Sequence, residues 1–178
     1  YWSSSNDFTE AMYYRLAQAV SFSNSFIKNA SELSGDEVNV FIAEARFLRA
    51  YAYYNLLDLY GNVPLTTEIS TDLPTQSNRT ELFNFIESEL MEIESILLAS
   101  NEYGRVDNVA AHALLSRLYL NAEAWTGQDR YADCITYSQN VINSGYTLNM
   151  NDANGNGTAY DELFICLLYT SPSPRDSD

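Results

Sequence analysis

The run Ala43-Glu-Ala-Arg-Phe-Leu-Arg-Ala-Tyr-Ala-Tyr-Tyr-Asn-Leu-Leu-Asp-Leu-Tyr-Gly-Asn-Val-Pro-Leu65 constrains the fold more than any other part of the chain. A helix that is apolar or aromatic on nearly every side has almost no solvent face and must be enclosed by other helices. Gly61 suits the left-handed conformation that ends a helix, and Pro64 prevents it from restarting. The expected fold is therefore all-α, built by helix-on-helix packing.

The remaining segments repeat that theme. Residues 8 to 31 read as a first helix, with Phe8, Met12, Leu16, Ala19, Phe22, Phe26 and Ala30 at three- and four-residue spacing. Asp36 is the expected N-cap of a second helix over 37–60. A loop with Pro64 and Pro74 covers 61–79. A third helix is expected over 80–99, with Leu82, Phe85, Ile86, Leu90, Ile93 and Leu97 inward. Glu81, Glu87, Glu89, Glu92 and Glu94 read as its solvated acidic face rather than a catalytic cluster. A loop centred on Gly104 leads to a fourth helix over 108–124, broken by Gly127. A fifth helix over 129–143 ends at Gly145. No strand series is expected.

Helices four and five resemble a tetratricopeptide hairpin, two antiparallel helices that stack on their neighbours. Ala132, Ile135 and Val141 or Ile142 are the expected inner face of the second helix. Helices two and three form a degenerate second unit.

With 178 residues, 46% of them hydrophobic, the chain suits one ordinary domain with a real core. A net charge of -15 excludes nucleic acid as a partner, because phosphates are repelled. No run approaches the apolar length of a membrane span. Tyr1 is not a start residue and no signal peptide is visible, so an internal fragment is expected, with any export signal upstream. Cys134 and Cys166 are too few for a disulfide framework or a zinc site, and Cys134 fits a packing role.

Little in the chain points to bond-making chemistry. His112 is the single histidine and stands on a helix, far from any nucleophile motif. Phosphate-loop, dinucleotide and zinc-protease patterns are lacking. Asp152-Ala-Asn154-Gly-Asn156-Gly157 matches the first half of a calcium loop, but Leu163 stands where the bidentate glutamate belongs. An Asn/Gly-rich turn is expected there, and no metal or cofactor. Glycosidase chemistry needs two carboxylates across a cleft, and no pair stands out.

Aromatic residues suit a different task. The chain holds 14 tyrosines against 9 Lys plus Arg. An aromatic ring stacks on a sugar while a phenol or indole hydrogen-bonds. Trp2, Tyr103 and Trp125 are the candidate ligand-binding residues, although Trp125, in the hairpin corner, is first expected to cap the inter-helix core.

Three segments, in order, carry a family resemblance: the run from Ala43 through Tyr-Gly-Asn-Val-Pro-Leu65, Gly104-Arg-Val-Asp-Asn-Val-Ala-Ala-His-Ala-Leu-Leu-Ser-Arg-Leu-Tyr-Leu-Asn-Ala-Glu123, and Tyr131 through Leu148. Together they resemble the SusD/RagB family of nutrient-uptake outer-membrane lipoproteins. The resemblance implies a SusD-like α-α superhelix, incomplete here, over residues 1–165. It implies a non-catalytic glycan-binding lipoprotein at the cell surface, anchored in the outer membrane through a cysteine upstream of this chain. The implied partners are a SusC-like TonB-dependent transporter and an oligosaccharide or other nutrient. The signature residues Glu44, Arg46, Arg49, Tyr60, Gly61, Pro64 and Arg105 are scaffold positions, and Glu44, Arg46 and Arg49 are expected to find distant partners. A generic tetratricopeptide-type interaction scaffold is the alternative, and a helical carbohydrate-active enzyme the third reading. Residues 166–178 resemble a tail seen where an assembly has run into sequencing-adapter DNA, and are expected to be non-native.

Overall fold

A computed structural model describes residues 6–148, 150, 152 and 157. Trp2, Cys166, the tail from 166 to 178 and most of the Asp152–Gly157 turn lie outside the described residues. The chain divides into two compact units at Ser144 and Gly145. In the second, the Gly157 amide donates to the Asp152 carboxylate at 2.8 Å.

Among the described residues the first unit has six helices: α1 (Asp7–Ala30), α2 (Asp36–Tyr60), α3 (Arg79–Ile93), α4 (Asn108–Leu120), α5 (Ala122–Thr126) and α6 (Tyr131–Ile142). Between α2 and α3, β1 (Val63–Pro64) and β2 (Gln76–Ser77) pair antiparallel, with Val63 opposite Ser77 and Pro64 opposite Gln76. Helix α1 packs on α2, α2 on α3, α3 on α4 and α5, and α4 on α6.

Local chemistry sets the helix starts. Asn6 caps α1 by accepting from the amides of Phe8 and Thr9. Asn78 and Glu81 form a reciprocal capping box on α3, each bond 3.0 Å. Asp107 caps α4 through the Ala110 amide. Asp36 is not the cap of α2: Gly35 occupies that position and Asp36 is the first helical residue, where its charge still favours the helix dipole. The third helix stops at Ile93, six residues before the expected end at 99, and a tight turn carries the chain on to Leu97. Helix four is interrupted at Asn121, so that Trp125 belongs to the short α5.

The core is one cluster drawn mainly from α2, α3 and α4, with Val20 of α1, Val63 of β1, Ala122 of α5 and Leu97 joining it. Ala43, Ala50 and Ala52 of α2 are buried, and their small size allows neighbouring helices to approach closely. Gly61 ends α2 at φ +76°, a region that L side chains rarely adopt. The loop that follows is held by side chains from two helices. Tyr53 Oη donates to the Thr66 carbonyl and accepts from the Thr66 amide, at 3.0 and 2.8 Å. Asn24 of α1 donates to the same carbonyl at 3.0 Å.

Three expectations about faces need correction. On α1, Phe8, Met12, Phe22 and Phe26 are exposed, while Val20, Ser23, Asn24 and Ala30 are buried. Asn24 is drawn inward because it satisfies both the Thr66 carbonyl and the Arg49 guanidinium. On α6, Ala132, Ile135 and Ile142 are exposed, and the residues packed toward the core are Cys134 and Tyr137. Ser138 of α6 meets Ser116 of α4, with the two hydroxyls 2.7 Å apart. The acidic face of α3 is not simply solvated. Glu89 is 6% exposed, and four of its five glutamates bind side chains of other helices.

Tyr119 of α4 shows the effect of that arrangement on titration. Its hydroxyl donates to Glu87 at 2.9 Å, beside Arg130. Burial, then the Glu87 hydrogen bond and charge, push its phenol well above its ordinary value. Burial likewise raises Tyr137, helped by Glu94. A raised folded-state value makes the neutral phenol a stabilising group. That stability is complete below the unfolded value near 10 and is lost as pH rises above it. Unfolding midpoints in urea measured from pH 8 to pH 11 are expected to fall above about pH 10. Tyr119→Phe should make that fall shallower, and an unchanged slope in the variant would exclude Tyr119 as its source.

Candidate functional site

The most exposed aromatic ring among the described residues belongs to Tyr103, whose side chain is fully open to solvent. It sits at the tip of a β-turn closed by the Arg105 amide and the Glu102 carbonyl at 3.0 Å. Gly104 follows it at φ +85°, the position at which such a turn favours glycine. The turn is fastened to α2. Asn101 donates to Glu44 and to the Val106 carbonyl, both at 2.8 Å, and Arg105 pairs with Glu44 at 2.7 Å. The Arg105 guanidinium also lies 5.0 Å from the Phe41 ring centre, in cation–π range. Glu44 and Arg105 thus hold an exposed tyrosine in a fixed place.

Arg46 and Arg49 do comparable work deeper in the scaffold. Both pair with Glu89 of α3, and Arg46 also reaches Glu92 at 2.6 Å. Arg49 donates further to Asn24 at 2.8 Å and stands 5.6 Å from the Phe85 ring centre. A carboxylate that accepts from two guanidiniums is well satisfied in a buried setting. Tyr60 closes the other end of α2 by donating to the Thr9 carbonyl at 2.6 Å, its ring edge-on to Tyr13. Pro64 lies in β1.

Trp125 is half-buried against the core and meets Tyr54 edge-to-face at 5.8 Å. Its geometry is that of a packing residue at the corner after α4. Tyr103 lies in the turn before α4 and Trp125 on α5, and no contact between them is seen.

A second feature is less visible in the sequence. An open groove of about 430 Å³ lies between the start of α4 and the end of α6. Asn108 and His112 line it from α4, and Asn140 and Asn143 from α6 and its C-terminal cap. Ala99 and Val109 give it an apolar floor. His112 is only partly a surface residue: its Nε2 is 3.5 Å from Glu94 and its ring lies against Tyr137. The Asn-x-x-x-His and Asn-x-x-Asn spacings are the only sequence signal for the groove, and they carry no weight until the two helices are known to be adjacent. Among the described residues no cluster of His, Cys, Asp and Glu is arranged to hold a metal ion.

Comparison with known proteins gives this geometry a context. A SusD-like family model, described as starch-binding and associating with the outer membrane, matches residues 2–120. The chain is 39% identical over 166 residues to the starch-binding protein SusD of Bacteroides thetaiotaomicron, covering 92% of this chain and 29% of that protein. A SusD superfamily structure from Parabacteroides distasonis superposes with a TM-score of 0.76 at 28% identity, over 82% of this chain and 34% of that one. A laminarin-binding SusD-like protein superposes with a TM-score of 0.73 at 25% identity, over 86% of this chain and 34% of that one. The chain thus spans about a third of the length of these relatives. Its helices are the tetratricopeptide-like portion of that fold, and the chain belongs to the SusD-like family.

Proposed function

We propose that this chain is the helical scaffold portion of a non-catalytic glycan-binding lipoprotein of the outer-membrane surface. It works beside a SusC-like TonB-dependent transporter in oligosaccharide uptake. The observation that carries the reading is the 39% identity to a starch-binding protein along 92% of the chain.

The physics of the candidate site agrees with it. Sugar rings present an apolar C–H face that stacks on an aromatic ring, and their hydroxyls are hydrogen-bonded by side chains around it. Tyr103 offers such a ring at low entropic cost, because its turn is already braced by Glu44 and Arg105. Trp125 is assigned to packing rather than to ligand contact, because Tyr54 and the core already occupy it. Trp2 is retained as a further candidate contact.

The reading is tested by affinity electrophoresis of the intact protein in gels containing starch, laminarin or xyloglucan. Retardation in at least one gel is expected, and Tyr103→Ala should weaken it by about 2- to 10-fold. Tyr103 is fully exposed, so this variant should keep its stability and its circular dichroism. Absence of retardation in every gel would overturn the glycan reading, and unchanged affinity in the variant would remove Tyr103 from the site.

A further inference from the structure

We propose that the groove between α4 and α6 is a separate subsite for one ring of a neutral polyhydroxylated ligand. The inference rests on the glycan reading and adds a second place of contact, on the helical scaffold itself. Three observations carry it.

The first is chemical. Among the described residues the polar lining of the groove is three carboxamides, from Asn108, Asn140 and Asn143, the His112 imidazole and Ser144. Each amide offers two N–H donors and a carbonyl acceptor. Neighbouring hydroxyls of a pyranose are each donor and acceptor, so such a side chain matches a vicinal diol in either sense. The side-chain carboxamides of Asn108 and Asn140 take no protein hydrogen bond among the described residues. Asn143 uses only its carbonyl oxygen, which accepts from Gln139 at 3.0 Å.

The second is electrostatic. The chain carries a net charge of -15, yet among the described residues no carboxylate and no Lys or Arg lines this groove. A site for a cation would gather acids, and a site for an anion would gather Lys or Arg. A wall of amides selects hydrogen-bonding capacity without selecting charge.

The third is shape. The volume of about 430 Å³ lies within the range of small-molecule sites, and Ala99 with Val109 provides an apolar floor for a C–H face. The wall is also positioned. His112 is backed by Glu94 from the end of α3 and by Tyr137 from α6, and Tyr137 itself donates to Glu94.

The single histidine of this chain makes the test specific. The intact protein is titrated with maltotriose and with laminaribiose while the imidazole C–H signals are followed by NMR, assigned by their loss in His112→Gln. A saturable shift of the His112 signals is expected with at least one sugar. The double variant Asn140→Ala with Asn143→Ala should weaken the apparent affinity by about tenfold. Both positions are exposed, so the variant should fold normally. Retention on polysaccharide gels without any movement of the His112 signals would overturn this inference and leave the glycan reading standing. A His112 shift of equal affinity in the double variant would overturn it as well. Failure of both assays would remove the glycan reading and the subsite with it.

Discussion

Replacing Glu89 by alanine is expected to destabilise the protein by about 3–5 kcal/mol. Glu89 is 6% exposed and accepts from both Arg46 and Arg49, and Arg49 is 5% exposed. Without the carboxylate, Arg49 is left buried with Asn24 and a distant Thr67 carbonyl as its remaining hydrogen-bond partners. Neither supplies a negative charge, so the full desolvation cost of the guanidinium appears as lost stability. A typical domain has about 5–15 kcal/mol in total, so the loss is a large fraction of what holds the chain folded. Urea unfolding followed by circular dichroism measures it directly.

Two companion variants separate causes. Glu92→Ala removes only the exposed arm of the network and should cost about 0.2–1 kcal/mol. Arg49→Met with Glu89→Leu removes both buried charges and should recover much of the single-variant loss, because apolar side chains of similar volume need no partner. A Glu89→Ala protein within about 1 kcal/mol of the parent would mean that water reaches Arg49, and the buried-pair account would fall.

The fold was legible in the sequence where burial and periodicity coincide. On α3 and the turn after it, Leu82, Ile86, Leu90, Ile93 and Leu97 are both periodic and buried. Legibility failed on α1 and α6 for a common reason: each has apolar residues on more than one side. On α6, Ile135 and Ile142 lie on average about 120° around the helix from Cys134, Tyr137 and Val141 at 3.6 residues per turn. Periodicity alone does not say which stripe meets a neighbour. The acidic face of α3 was misjudged because its partners are remote in sequence, 43 residues apart for Arg46 and Glu89. Tyr103 was legible only as an aromatic residue in the loop centred on Gly104, and its exposure is a finding of the structure. The groove was not visible, since its amides are polar residues on two separate helices and only tertiary packing brings them together.

Ile86→Ala is the second substitution with a large expected effect, about 2–5 kcal/mol. Ile86 has no exposed surface and lies on α3, the helix that packs against α2, α4 and α5. Deleting three carbons loses their transfer free energy and leaves a cavity, whose cost depends on how far the surroundings can collapse. Here collapse is restrained on several sides. The Arg46–Glu89–Arg49 network fixes α3 against α2, and Glu87 fixes it against Tyr119 and Arg130. The cost should therefore fall in the upper half of the range. Ile135→Ala on α6 removes the same atoms from a side chain that is 69% exposed and should change stability by no more than about 0.5 kcal/mol. Measuring both by urea unfolding isolates burial, because the chemistry of the substitution is identical. Equal losses at the two positions would show that the open stripe of α6 is covered in solution, whereas a small loss at Ile86 would show that α3 is free to move into the space it leaves.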